Sequence, residues 1–229
     1  MHRRTFLILL LVLIILFNPV CSSIITATPA SNNSTLYFTV LVDLNESRLF
    51  LIKNSSGKIV KEFPIAGGKY YTPSPIGTWR IYEKAKWSKG FGTRWIGLNV
   101  PWGKYGIHGT NKPLSIGSAA SRGCIRMLNK DVELLFSIVP IGTLVIIYGG
   151  PYDLNFNTFR LLIPGDRGAD VLEVQIRLKN IHYYEGNLNG IYDEEMKKDV
   201  IKFRRDKKLP ISHEIDSQFY HALNIYPFE

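Results

Sequence analysis

The residues in this 229-residue sequence best suited to chemistry are His108, in Ile107-His108-Gly109-Thr110, and Cys124, in Ser121-Arg122-Gly123-Cys124-Ile125-Arg126-Met127. Acyl transfer by cysteine needs a thiolate, a base to take its proton, and amide donors for the oxyanion. The two windows hold candidates for all three. A loop folding back over the intervening residues would bring His108 to Cys124 and lower the thiol pKa. Gly123 permits a tight turn that would aim the amides of Gly123 and Cys124 at a developing oxyanion. Arg126, two residues on, would share a strand face with Cys124 and add positive potential for a carboxylate-bearing substrate. Two other readings stand beside this one. A lone cysteine is often a small buried hydrophobe, and a His–Cys pair can belong to a zinc site. Zinc asks for four ligands, or three plus water, yet the remaining histidines past the N-terminus are His182, His213 and His221, all in the tail, and the other cysteine is Cys21. The signature of a papain-like nucleophile is absent.

Short strands must position these windows. Residues 36–42, 48–52 and 58–63 are β-rich runs separated by polar turns, and further strands are expected at 77–82, 95–98, 105–108 and 143–148. Gly67-Gly68, Pro73-Ser74-Pro75 and Pro101-Trp102-Gly103 punctuate them. A helix is expected over 129–139, with Asn129 as N-cap and Val132, Leu135, Phe136 and Val139 on one face. The pattern predicts a predominantly antiparallel β domain. From Asp166 the period becomes helical: Val171, Val174, Leu178 and Ile181 form one face, Met196, Val200 and Phe203 another, and Phe219 and Leu223 a third, after Asp216. Three helices joined by Gly/Asn turns are expected there.

Composition narrows the function classes. At 45% hydrophobic and 21% charged the chain can bury a core, which excludes a disordered protein, and a mean hydropathy of zero argues against many membrane spans. Arg3 and Arg4, the apolar run Phe6–Phe17 and the small residues after Pro19 have the grammar of a signal peptide, or of a short N-terminal membrane anchor. Residues 1–23 are therefore assigned to that role, and the rest of the chain is expected outside the cytoplasm. Residues 24–165 carry 16 basic and 7 acidic side chains, whereas 166–229 carry 10 and 12. Outside the cell a basic domain favours an anionic wall polymer over nucleic acid.

The motifs His108-Gly109-Thr110 and Ser121-Arg122-Gly123-Cys124-Ile125-Arg126-Met127 with Asn129 closely resemble the signature of the YkuD-type L,D-transpeptidase catalytic domain. Thr72-Pro73-Ser74-Pro75-Ile76-Gly77 and Phe91 to Leu98 resemble its upstream segments. Arg122 stands where many members have histidine. Residues 166–225 resemble the three-helix peptidoglycan-binding module, through Val174-Gln175, Tyr183-Tyr184-Glu185-Gly186 and Asn189-Gly190-Ile191-Tyr192.

The resemblances imply a signal or anchor (1–23), a linker (24–35), a mainly β, sandwich-like catalytic domain (36–149), a second linker (150–165) and an all-α wall-binding domain (166–229). They imply transfer on peptidoglycan stem peptides, with Cys124 as nucleophile and His108 as base. Release of terminal D-Ala gives a thioester, which an amine of a neighbouring stem resolves into a 3→3 cross-link, or water into a trimmed stem. The Gly109 carbonyl would orient His108 and the Gly123 amide would serve the oxyanion. Arg126, Ser121, Arg122 and Thr110 would contact substrate, and Tyr184 and Tyr192 would line a glycan or peptide groove. Neither metal nor organic cofactor is implied. The competing expectation is an inactive wall-binding protein.

Overall fold

The computed structural model describes residues 37–87, 92–149 and 159–226. The signal-like segment 1–23 and the linker 24–35 lie outside the described residues. Eight strands follow in order: β1 (Phe38–Asp43), β2 (Arg48–Lys53), β3 (Lys58–Ala66), β4 (Gly77–Lys86), β5 (Arg94–Leu98), β6 (Tyr105–His108), β7 (Ile125–Met127) and β8 (Leu144–Tyr148). Helix α1 (Asn129–Ile138) packs between β7 and β8 in the chain, and α2 (Ala169–Asn180), α3 (Glu194–Asp206) and α4 (Ser217–Ala222) follow the last strand.

Alternation decides which side chains face inward. Val40 and Val42, Leu49 and Leu51, and Phe63 and Ile65 are all at or near zero exposure and fill the interior with Ile96, Ile107, Ile125 and Val145. The strands close in the order β1-β2-β3-β7-β6-β5-β4-β8. This revises the expected sandwich to a closed barrel-like sheet. Closure comes from β8, which pairs parallel with β1 and antiparallel with β4, so the sheet keeps no free edge there. The other parallel contact, β6 with β7, sets Ile107 opposite Ile125 and His108 opposite Arg126.

At α1 the N-cap is Leu128, with no side-chain cap bond. Asn129, expected in that role, instead accepts the Thr93 amide on its Oδ1 at 3.2 Å. Its side chain is spent on joining the helix start to the residue that enters β5.

The tail forms three helices around its own core of Val171, Val174, Leu178, Met196, Val200, Phe203 and Phe219. Asp193 and Asp216 cap α3 and α4, accepting the amides of Met196 and Phe219. Ile181, expected on the buried face, follows the last turn of α2 and is exposed. The boundary expected at 166 also moves. Leu162 is fully buried in the helical core, exchanges backbone bonds with Ile215, and is followed by Asp166 and Asp170, both gripped by Arg160. Residues 159–165 therefore belong to the helical unit rather than to a linker.

Candidate active site

The pairing of β5, β6 and β7 builds the site. Ile96, Ile107 and Ile125 point into the core, so the residues flanking them face outward. One row across the sheet reads Ala66, Arg126, His108, Trp95. The next contains Gly106 and Gly97, opposite Glu83. Cys124 immediately precedes Ile125, on the turn leading into β7 and level with Gly106. His108 and Cys124 thus lie on adjacent strands and on one face, one step diagonal to each other.

The turn around Cys124 is pinned from behind. Ser121 is buried at 1% exposure. Its amide donates to the Gly67 carbonyl, and its carbonyl accepts from the Lys69 amide and the Thr72 hydroxyl. Its hydroxyl accepts the Gly123 amide at 2.9 Å. This corrects two expectations. Ser121 supports the turn instead of meeting substrate, and the Gly123 amide is already engaged, so it is not a free oxyanion donor. Gly123 has φ +109°, and a β-carbon there would lie 2.6 Å from the Tyr105 ring and 2.9 Å from the Pro73 carbonyl oxygen. Only glycine fits.

On β6, Nδ1 of His108 lies 2.5 Å from the Gly109 carbonyl oxygen. A carbonyl only accepts, so this contact assigns the proton to Nδ1 and leaves the Nε2 lone pair as the basic position. The ring stacks on Trp95, with centroids 6.0 Å apart and planes 28° apart. Trp95 also lies over Gly106, whose absent side chain makes the room, and its indole N–H donates to Glu83 Oε1 at 2.7 Å. That bond is the main reason the Glu83 carboxyl sits below its usual pKa.

Burial pushes the Cys124 thiol pKa up. The Gly106 backbone amide and the Arg126 charge pull it down, more weakly. Tyr105, half-buried beside Gly123, is likewise raised, chiefly by burial. Arg126 forms no ion pair among the described residues. Arg122 is exposed at the apex of the turn. Thr110 is buried, with its hydroxyl oxygen accepting the Lys112 amide at 3.0 Å, so it shapes the turn after His108 rather than offering itself to substrate.

Tyr184 and Tyr192 do not line a groove. They are 1% and 0% exposed. The Tyr184 hydroxyl donates to the Asn187 carbonyl and that of Tyr192 to the His213 carbonyl. Both are core residues, because a phenol can be buried when its hydroxyl finds a backbone acceptor.

Trp95, Glu83, Gly106 and Tyr105 are the site residues that sequence reasoning misses. The one available signal was the run of aromatics and glycines in the strands on either side of Pro101. Among the described residues no three His, Cys, Asp or Glu side chains converge as a metal site would require.

Residues 37–147 match the family model of the YkuD L,D-transpeptidase catalytic domain, and residues 167–223 that of a "Putative peptidoglycan binding domain". The chain is 46% identical over 117 residues to the "Putative L,D-transpeptidase YkuD" of Bacillus licheniformis, covering 51% of this chain and 68% of that protein. It is 45% identical over 114 residues to the protein of the same description in Bacillus subtilis, covering 49% and 67%. Among solved structures, the NMR structure of the catalytic domain of an E. faecium L,D-transpeptidase aligns over 48% of this chain and 96% of that one. The identity is 26% and the TM-score 0.43.

Proposed function

We propose that this chain, which belongs to the YkuD family of L,D-transpeptidases, works as a cysteine acyltransferase on peptidoglycan stem peptides, with Cys124 as nucleophile and His108 as base. The observation that carries the reading is the register of β6 and β7. It sets Cys124 and His108 on one face, while the Gly109 carbonyl fixes the imidazole with its proton on Nδ1, so that Nε2 is the basic nitrogen.

The reaction then runs in two steps. His108 Nε2 takes the proton from Sγ, and the sulfur attacks the carbonyl carbon between the third stem residue and terminal D-Ala. The oxyanion is received by the backbone amide of Cys124, since that of Gly123 is engaged by Ser121. Collapse breaks the C–N bond, and the leaving amine of D-Ala takes its proton from His108. In the second step His108 removes a proton from the side-chain amine of a neighbouring stem. That amine attacks the thioester, and the thiolate leaves and recovers a proton from the imidazole. The product is a 3→3 cross-link; with water as acceptor the product is a trimmed stem.

Arg126, beside both reacting groups, receives a stem carboxylate, and Arg122 offers a second positive charge at the rim. The enzyme acts outside the cytoplasm, delivered or held by its N-terminal segment. Cys124→Ala and His108→Ala should each cut D-Ala release from a purified tetrapeptide stem by at least about 10³-fold, as losing a nucleophile or its base does elsewhere. Mass spectrometry of muropeptides reads the products. Turnover by Cys124→Ala at the parent rate refutes the mechanism.

A further inference from the structure

Among the described residues, the helical unit meets the catalytic barrel around Trp102. Ala169, Leu172 and Ile191, on its near face, pack against the barrel core. Gly190 lies so close to Trp102 that a β-carbon there would come within 2.4 Å of the indole. Trp102, only 4% exposed, packs edge-on against Trp79 and, with centroids 6.4 Å apart, beside Tyr105. The Tyr105 ring in turn fills the space where a Gly123 side chain would be. An unbroken line of contacts therefore runs from the helical unit through Trp102 and Tyr105 to the residue before Cys124. Arg167, at the head of α2, is near enough for its charge to act on the Tyr105 hydroxyl, and Tyr105 near enough to Cys124 for their charges to interact.

The turn bearing Gly190 is itself rigid. Gln175, fully buried in α2, accepts the Gly190 amide on Oε1 at 2.8 Å and donates through Nε2 to Asn189 Oδ1 and the Ile191 carbonyl, both at 3.0 Å. A side chain used this way fixes the face presented to Trp102 more than it stabilises the helix around it.

We propose that the helical unit is a brace for the nucleophile: docked on Trp102, it holds the Tyr105 ring against Gly123 and so sets the position and the dryness of Cys124. Trp102, Tyr105, Gly190 and Leu172 are positioning residues. The unit would then govern turnover of small soluble stems that need no wall anchoring at all. This rests on the reading of Cys124 as the nucleophile.

Two variants from different parts of the contact test it in the full chain. Gly190→Ala places a methyl group against the Trp102 indole. Leu172→Glu puts a charge into the interface from a residue that is only partly buried, so α2 keeps its own core. Circular dichroism and thermal unfolding establish that both remain folded. The direct readout is the rate of Cys124 alkylation by iodoacetamide against pH, mapped to its peptide by mass spectrometry. Freed of the Tyr105 ring the thiol becomes wetter, so alkylation near neutral pH should rise several-fold and its profile move to lower pH. On a soluble tetrapeptide kcat should fall about tenfold with KM little changed, because a displaced nucleophile costs geometry rather than binding. Folded variants that keep the parent's alkylation profile overturn the brace, whatever happens to sacculus binding. A parent that alkylates normally but releases no D-Ala refutes the catalytic reading instead, and the alkylation comparison still decides the brace.

Discussion

His108 is held from two sides, at Nδ1 by the Gly109 carbonyl and on its face by Trp95, which Glu83 anchors through the indole N–H. Trp95→Phe removes that N–H and part of the ring covering Gly106. It should lower kcat by about 10- to 100-fold at nearly constant KM, the cost of a base displaced by a fraction of an ångström. Glu83→Ala should do the same more mildly; steady-state kinetics on a soluble stem separates the two constants. The thiol makes a second prediction. Its pKa is raised mainly by burial and lowered by the Gly106 amide and Arg126, so less thiolate is present at neutral pH than in an exposed cysteine. Alkylation of Cys124 in the parent should therefore climb at more alkaline pH than that of a free thiol. Arg126→Ala removes one lowering influence and should push the profile higher still. A profile unmoved by Arg126→Ala would separate that charge from the sulfur. His108 and Cys124 are legible in the sequence because each sits in a compact motif. Trp95 and Glu83 are not, because a role conferred by strand register leaves no trace in spacing along the chain.

The same distinction holds for elements. Long strands and helices are legible because their periods repeat: β1, β2 and the first half of β4 alternate, and α2 and α3 each carry an apolar stripe. β7 has three residues, too few for a period, and exists because β3 and β6 pair with it on both sides. Closure of the barrel is equally invisible, since it depends on which strand β8 joins rather than on what β8 is. Asn129 reads as a cap by residue type, but tertiary competition takes its carboxamide for the Thr93 amide. Asp216 shows a cap doing two jobs: it receives the Phe219 amide through one oxygen and Arg204, 1% exposed, through the other at 2.5 Å. Asp216→Ala should cost the helical unit about 3 kcal/mol, because it deletes a cap and strands a buried guanidinium. Asp216→Asn keeps the cap geometry and should cost less. Urea unfolding followed by far-ultraviolet circular dichroism checks both; equal losses would mean that the cap contributes little and the ion pair with Arg204 carries the effect.

At the scale of the whole molecule, charge and docking divide the labour. The 16 basic side chains of residues 24–165 face 7 acidic ones, whereas the helical tail carries slightly more acid than base, so on the proposed reading the barrel, not the tail, supplies long-range attraction to an anionic wall polymer. Such attraction between exposed charges is screened over about 14 Å at 0.05 M salt and about 4 Å at 0.5 M. Arg126 acts over a shorter distance beside a partly buried sulfur and is screened far less. Sedimentation with purified sacculi should therefore weaken several-fold between those two salt concentrations, while turnover of a short soluble stem changes much less. Charge reversal at Lys58 and Lys61, exposed on β3, should reproduce the effect of salt on sedimentation without altering soluble-stem kinetics. If sedimentation is indifferent to both salt and these substitutions, recognition of the wall must come from uncharged contacts, and the excess of lysine and arginine on the barrel serves only to keep it dissolved.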